Sequence, residues 1–285
     1  MMKGSPEAGL GFSMSDETLS PILSFQKSVL PLEKMKCLLP EATTRYREAA
    51  PFPHIVLDDF FDPEILNRVL EEFPSNKDIQ WIQYYDTNQK KLANENEAGM
   101  GLFTRYVLYS LNSATFLKFL EEMTGISNLI SDPSFRGGGL HNIYRGGKLG
   151  VHADFNKHEK FNIDRRLNLL LYLNKDWKEE YGGHIELWDR DMRQCHKRIL
   201  PIFNRVVVFT TTDCSYHGHP DPLDCPDHMS RKSLALYYYT NGRPEEEIGQ
   251  HHSTLFKLRP GEAVESTASI KAQKWWRRLK QKWGS

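Results

Sequence analysis

The sequence lacks several features that would assign it to a class of protein at once. Its 37 lysines and arginines equal its 37 aspartates and glutamates, so no charge imbalance predicts a nucleic-acid partner. It has no run of about 18 apolar residues and no basic N-terminal segment followed by an apolar one, so we expect neither a spanning helix nor a signal peptide. The four cysteines have no regular spacing, which favours free thiols in a reducing compartment. These absences predict a cytoplasmic protein.

The composition is sufficient for one large folded domain. Of the 285 residues, 39% are hydrophobic and 12% are aromatic, which allows a substantial core. Residues 1–50 show no sustained hydrophobic period, and we predict a mobile arm with at most a short helix. Residues 51–260 are predicted to form the main domain, and residues 261–285 are predicted to form a separate C-terminal tail.

Helix signals come first in this domain and strand signals follow. Asp62 before Pro63 is typical of an N-cap and the first helical position, and apolar spacing predicts a second helix over 113–124. We expect such helices within 62–125 to support a sheet. From about 136 to 240, short apolar runs alternate with Gly, Asn, Asp and Pro. These patterns predict a mainly β domain with flanking helices (α+β), whose eight core strands form the two facing sheets of a jelly roll, or double-stranded β-helix.

Three residues within the strand region have the chemistry of a metal site. His152 and Asp154 are two residues apart, so on a strand their side chains point to the same side. His217 follows 63 residues after Asp154 and can come from a distant strand. Two imidazoles and one carboxylate on one face of a metal are typical of non-haem Fe(II) oxygenases, and they leave positions open for a co-substrate and dioxygen.

A candidate acid-binding pair follows His217. Arg231 and Ser233 stand two apart at the start of an apolar run that predicts a strand. A guanidinium group can bind a carboxylate through two charge-assisted hydrogen bonds, and a hydroxyl group on the same face can add a third. This arrangement suits the distal carboxylate of 2-oxoglutarate.

Taken together, these motifs resemble the prolyl-4-hydroxylase-like branch of the 2-oxoglutarate and Fe(II)-dependent dioxygenases. The resemblance covers roughly residues 136–240 and includes the apolar run 169–173 and the Gly182-Gly183 pair. It implies a double-stranded β-helix and a reaction that uses Fe(2+), 2-oxoglutarate and dioxygen. The product would be a hydroxylated substrate, released with succinate and carbon dioxide.

The resemblance also implies roles for individual residues. It makes His152, Asp154 and His217 the catalytic iron ligands, and it makes Arg231 the partner of the 2-oxoglutarate C5 carboxylate. Ser233 would assist Arg231, and the hydroxyl group of Tyr144 would reach the co-substrate. Collagen-type members commonly have Tyr three residues before the first ligand, where this chain has Leu149. The collagen-type substrate is therefore not carried over, and we expect an unidentified small-molecule or peptide substrate.

Three alternatives remain open at the level of sequence. His219 competes with His217 because both have the same strand parity. The motifs Cys214-x-x-His217 and Cys225-x-x-His228 have a spacing that a structural zinc could accept. A non-catalytic jelly-roll module that binds metal is a further possibility, although such a module has no need for an acid-binding Arg-x-Ser pair.

Segments outside these motifs are expected to influence partners. Residues 270–283 combine a stripe of tryptophan and leucine with lysines and arginines, which predicts a basic amphipathic helix. Such a helix can lie on an anionic membrane surface or pack on the domain. Loops at 84–104 and 155–165 are expected to select the substrate.

Overall fold

The computed structural model describes residues 28–262. Residues 1–27 of the predicted arm and the predicted amphipathic helix at 270–283 lie outside this range. The four α-helices of the described part are α1 (Leu32–Arg47), α2 (Pro63–Glu71), α3 (Leu102–Leu111) and α4 (Ala114–Thr124). In that part of the chain, no helix is both long and apolar enough to cross a membrane.

Fourteen strands join in one antiparallel sheet network. They are β1 (His54–Leu57), β2 (Ile82–Tyr85), β3 (Gln89–Asn94), β4 (Ile130–Ser131), β5 (Gly139–Tyr144), β6 (Lys148–Ala153), β7 (Lys157–His158), β8 (Ile163–Tyr172), β9 (Ile185–Trp188), β10 (Cys195–Ile199), β11 (Arg205–Thr210), β12 (His217–His219), β13 (Ser230–Thr240) and β14 (Leu255–Phe256).

The sheet curls into a double-stranded β-helix. Its strand order is β1-β11-β8-β13-β5-β3-β6-β12-β9-β10. In this order, β1, β11, β8, β13 and β5 form one half of the sheet, and β6, β12, β9 and β10 form the other half. Strand β3 joins the halves because one of its ends pairs with β5 and the other with β6. The predicted fold class, a jelly-roll core with flanking helices, is therefore confirmed. The two predicted sheets are joined edge to edge through β3, and nine strands, β5 to β13, lie between residues 139 and 240.

Alternation along β13 separates the two faces of the larger half. Leu234, Leu236 and Tyr238 belong to the main hydrophobic core, in which the sheet packs against the helices. Arg231 and Ser233 have the opposite parity and therefore project into the barrel. The acid-binding candidates consequently lie on the enclosed face of the sheet.

The predicted caps position two supporting helices. The Asp62 side chain accepts a hydrogen bond from the Glu64 amide, and Pro63 occupies the first helical position of α2. Ser113 caps α4 in the same manner, and Gly125 ends that helix with a φ of 77°, a left-handed conformation that glycine adopts without strain. Both helix predictions are confirmed.

Two expectations about irregular segments are wrong. The second part of the predicted arm contains α1, a helix of 16 residues whose buried Met35, Ala42 and Tyr46 pack into the core. The predicted loop 84–104 contains most of the β2–β3 hairpin and the start of α3. Both segments have many polar residues, so their structure depends on tertiary packing more than on a visible hydrophobic period.

Candidate metal centre

The structure brings His152, Asp154 and His217 together. One potential ligand atom from each lies within 4.8 Å of the other two. His152 lies on β6 and Asp154 directly follows that strand, while His217 begins β12. Because β6 and β12 are paired neighbours with His152 opposite His217, two stretches remote in sequence form one compact site.

Backbone carbonyl groups orient both imidazoles. The Nδ1 atom of His152 lies 2.9 Å from the carbonyl oxygen of Gly150, and that of His217 lies 2.9 Å from the carbonyl oxygen of Ser215. A carbonyl oxygen can only accept, so each Nδ1 must donate its proton and each Nε2 keeps a lone pair. Both Nε2 atoms lie 3.4 Å from carboxylate oxygens of Asp154. The three free ligand atoms therefore converge.

Asp154 is held in its ionised form by two residues of β8. The amide of Asn168 donates a 2.7 Å hydrogen bond to Asp154 Oδ2, and a guanidinium nitrogen of Arg165 lies 3.2 Å from the same oxygen. Burial opposes ionisation, but the charge of Arg165 is the largest of the causes that act against burial, and the pKa of Asp154 lies well below its usual value. Asp154 is therefore a carboxylate that can bind a cation.

His217 is kept neutral by its surroundings. Burial is the largest cause, and it lowers the pKa of His217 to about 4 even though Asp154 acts in the opposite direction. The ring of Phe209 packs edge-on against the imidazole at 4.6 Å between centroids. A neutral imidazole is the form that coordinates a metal, so His217 is suited to metal binding at neutral pH.

His219 lies near this centre but outside the three-residue group. A register shift separates it from His217, and it pairs with Leu149. Burial is again the largest cause lowering its pKa, followed by the charges of Arg231 and Lys91. Both ring nitrogens of His219 are buried and have no hydrogen-bond partner. These atoms are available to a ligand inside the barrel.

Arg231 and Ser233 share the enclosed face of β13, and both are buried. Arg231 is only 3% exposed; its Nε donates to the Gly183 carbonyl at 2.9 Å and its Nη2 to the Tyr172 hydroxyl at 3.1 Å. Within residues 28–262 it forms no ion pair. The Ser233 hydroxyl, on the same face, is buried without a partner. A buried cation without an acid beside an unsatisfied hydroxyl fits a bound carboxylate.

The structure does not place Tyr144 on the same face of the sheet as Arg231 and Ser233. On β5, Tyr144 is paired with Ser230, whereas Arg231 is paired with Ile143. Residues that are directly opposite share a face of a sheet, so Tyr144 projects to the other side from Arg231, where it contacts the helix-side core. The strand register therefore does not support the expectation that its hydroxyl reaches a co-substrate held by Arg231, because a shift of one residue along a strand reverses the face. Tyr172 contacts Arg231 instead.

The alternative zinc set does not assemble in the described residues. Cys225 is buried and directs its thiol towards the carbonyl oxygen of Met229, whereas His228 is exposed. Cys214 accepts a hydrogen bond from Arg190. Across residues 28–262, the group of three histidine, cysteine or acidic residues with converging ligand atoms is the one containing His217.

An open cavity of about 310 Å³ adjoins the metal centre. Its lining includes His152, Asp154 and residues 251–254 together with Phe256. Residues 250–256 form a strap: the amide of Asn156 donates to the Gln250 carbonyl at 2.7 Å, and β14 pairs with β6 beside the metal centre. Residues of the strap and of the curled sheet together line this open cavity.

Several residues of the site have no recognisable sequence signal. Arg165, Asn168 and Tyr172 lie on β8, and Lys91 lies on β3. No spacing relates them to His152, because their positions follow from strand pairing. Alternation along β8 could have indicated that Asn168 and Tyr172 share a face, but it could not have shown which ligand they face.

Comparisons with known proteins agree with this arrangement. Residues 138–239 match the sequence model of the 2OG-Fe(II) oxygenase superfamily. A segment of 79 residues, 26% of this chain, is 30% identical to mouse prolyl 3-hydroxylase OGFOD1, and it spans 14% of that protein's length.

Two solved structures share the fold. A Pseudomonas putida prolyl-4-hydroxylase matches 70% of this chain and 100% of its own, with a TM-score of 0.52 and 13% identity. A prolyl hydroxylase from Trichoplax adhaerens, solved with a peptide fragment of the hypoxia inducible factor oxygen degradation domain, matches 75% of this chain and 94% of its own, with a TM-score of 0.52 and 18% identity.

The family match covers the segments that contain His152, Asp154, His217 and Arg231. Fe(II), 2-oxoglutarate and dioxygen are the cofactors of this family, and the ligand chemistry of the three converging residues suits iron. The predicted resemblance to prolyl-4-hydroxylase-like oxygenases is thus confirmed, and it is residues 138–239 that match the 2OG-Fe(II) oxygenase superfamily.

Proposed function

We propose that this protein is a 2-oxoglutarate- and Fe(II)-dependent hydroxylase in which His152, Asp154 and His217 bind the iron. Iron and 2-oxoglutarate, when bound, supply the oxidation: dioxygen gives one atom to the substrate and one to succinate, and carbon dioxide is released. The observation that supports this most directly is the convergence of one carboxylate and two Nε2 lone pairs in a buried site.

In this proposal, Arg231 anchors the C5 carboxylate of 2-oxoglutarate. Ser233 donates a hydrogen bond to that carboxylate, and the Tyr172 hydroxyl, already bonded to Arg231 at 3.1 Å, holds the guanidinium in place. His219 contributes a ring nitrogen to the bound acid. Support comes from the orphaned polar atoms of Ser233 and His219, which would otherwise be buried at a cost of about 1–3 kcal/mol each.

The surrounding residues are assigned to orientation and to the exclusion of water. Asn168 and Arg165 keep Asp154 ionised and fix its rotation. Phe209 and Phe256 shield the imidazoles, with ring centroids 4.6 Å from His217 and 5.5 Å from His152. The primary substrate would enter the cavity beneath the strap, and a small molecule or a peptide would be admitted by this opening.

The test measures Fe(II) binding and uncoupled succinate formation. We expect His152→Ala and Asp154→Ala to abolish both, while His196→Ala, a control at an exposed histidine outside the site, retains them. Wild-type iron binding and turnover in both ligand variants would contradict the assignment. Mass spectrometry of candidate substrates for a gain of one oxygen atom then identifies the primary substrate.

A further inference from the structure

The cavity at the metal centre contains a cation that lacks an acidic partner. The basic side chains of the lining, apart from histidines, belong to Lys91, Arg136, Lys157 and Arg165. Three of these have acidic neighbours: Arg136 with Glu95 at 3.5 Å, Lys157 with Asp164 at 3.7 Å, and Arg165 with Asp154 at 3.2 Å. Within residues 28–262, Lys91 has no ion pair within 4 Å and its ammonium group donates no hydrogen bond, so the charge of Asp154 acts on it without direct contact.

The fold directs Lys91 into the barrel. Its neighbour on β3, Leu92, belongs to the helix-side core, so alternation turns Lys91 to the enclosed face. Its ammonium nitrogen lies 4.9 Å from the ring centroid of Tyr84, a contact that holds the side chain but does not neutralise it. Burial is the main cause that lowers the pKa of Lys91 to about 8, so the group is mostly charged at neutral pH.

The expected ligands of the proposed function leave this charge unbalanced. A ferrous ion and the guanidinium groups of Arg165 and Arg231 are positively charged, and Asp154 and a 2-oxoglutarate dianion are negatively charged. When these charges are added, one positive charge is left over. Lys91 adds a further positive charge to the same enclosed volume. Charges that are removed from water and left unpaired are costly, so a second anion is favoured in the open part of the cavity.

On the basis of the proposed function, we infer that Lys91 binds an oxyanion group of the primary substrate, either a carboxylate or a phosphate. The substrate class is therefore anionic. Lys91 lines the open cavity together with His152 and Asp154, whereas Arg231 is absent from that lining. Lys91, unlike Arg231, therefore borders the cavity that a substrate can enter. The diacid has Arg231 and Ser233, and the substrate has Lys91.

The test uses the full-length protein loaded with Mn(II), a paramagnetic stand-in for iron, and saturated with 2-oxoglutarate. The probe is inorganic phosphate, and its binding is measured from the enhancement of 31P relaxation by the bound metal. A second arm uses 13C-labelled acetate, so that tighter binding of one probe distinguishes a phosphorylated from a carboxylated substrate. Because metal and co-substrate are both bound but no turnover occurs, the readout is independent of activity.

We expect the wild-type protein to bind at least one probe with saturable relaxation enhancement. Lys91→Met should weaken that binding at least about tenfold, because a charge-assisted contact is lost, and Lys91→Arg should restore most of it. Lys157→Met is the matched control: it removes a cation from the same lining, but one that already has Asp164 as a partner. Its effect should stay within about twofold.

Three results would overturn the inference. One is that the wild type and Lys91→Met bind each probe with the same affinity, which is expected if phosphate or acetate simply coordinates the metal. Another is a loss of 2-oxoglutarate affinity in Lys91→Met, which would assign Lys91 to the co-substrate. A third is the absence of saturable binding in the wild type. Failure of the wild type to bind Mn(II) would instead contradict the proposed metal centre, and the inference with it.

Discussion

Asn168 offers a sharp test of how the fold prepares the metal centre. Its amide nitrogen donates a 2.7 Å hydrogen bond to Asp154 Oδ2, and its carbonyl oxygen accepts two bonds from Arg165 at 2.9 and 2.6 Å. Asn168→Ala removes the bond that orients the carboxylate. A hydrogen bond to a charged group contributes about 1.5–3 kcal/mol, which corresponds to about 10- to 100-fold in affinity. The same range is typical when a residue supporting a metal ligand is lost.

The assay is an anaerobic Fe(II) titration of the purified protein. We expect the dissociation constant of Asn168→Ala to rise about 10- to 100-fold. The control is Asn174→Ala, since Asn174 is also a buried asparagine but bonds backbone groups of Pro201 and Lys232. Iron affinity in Asn168→Ala within twofold of the wild type would refute the reasoning that this amide prepares Asp154.

Three further outcomes are expected. Arg231→Met should raise the 2-oxoglutarate concentration needed for half-maximal succinate formation at least about tenfold, and an unchanged requirement would assign the acid to another cation. Glu72→Ala should lower the free energy of unfolding, measured by urea denaturation, by about 1–3 kcal/mol. The reason is that the Glu72 carboxylate accepts hydrogen bonds from two amides at the start of α3 and from the Thr104 hydroxyl. An unchanged denaturation midpoint would contradict this. Burial, followed by the charge of Lys91, lowers the pKa of His141 to about 3. As pH falls, the unfolded chain therefore binds a proton at this histidine before the folded protein does. The metal-free protein should lose stability below about pH 6.5, by up to about 1.4 kcal/mol per pH unit from this histidine. His141→Gln should reduce that slope by a similar amount, and an identical slope in both proteins would refute it.

The metal-binding pattern was the most predictable part of the site. His152 and Asp154 needed only the two-residue period of a strand, and the family resemblance pointed to His217 as the third residue, with His219 as the alternative. The structure groups His217 with the other two residues. Spacing within one segment is a local property, and local properties can be read from sequence.

The surroundings of Arg231 were less predictable. Alternation predicts that Arg231 and Ser233 share a face of one strand, which the structure confirms, but alternation cannot give the cross-strand register that places Tyr144 on the opposite face. The register pairs Tyr144 with Ser230, and nothing in either segment alone determines it. Tyr172 reaches Arg231 from a third strand, β8.

What the sequence by itself determined is the chemistry of the ligands, the two capped helices and the alternation that defines a mainly β domain. These depend on interactions between residues a few positions apart. What only the tertiary structure decided is the support of Asp154 by β8, the free charge of Lys91 and the strap beside the cavity. Each of these arises from strand pairing between distant segments, and burial gives the resulting contacts their strength because water no longer competes for the same polar groups.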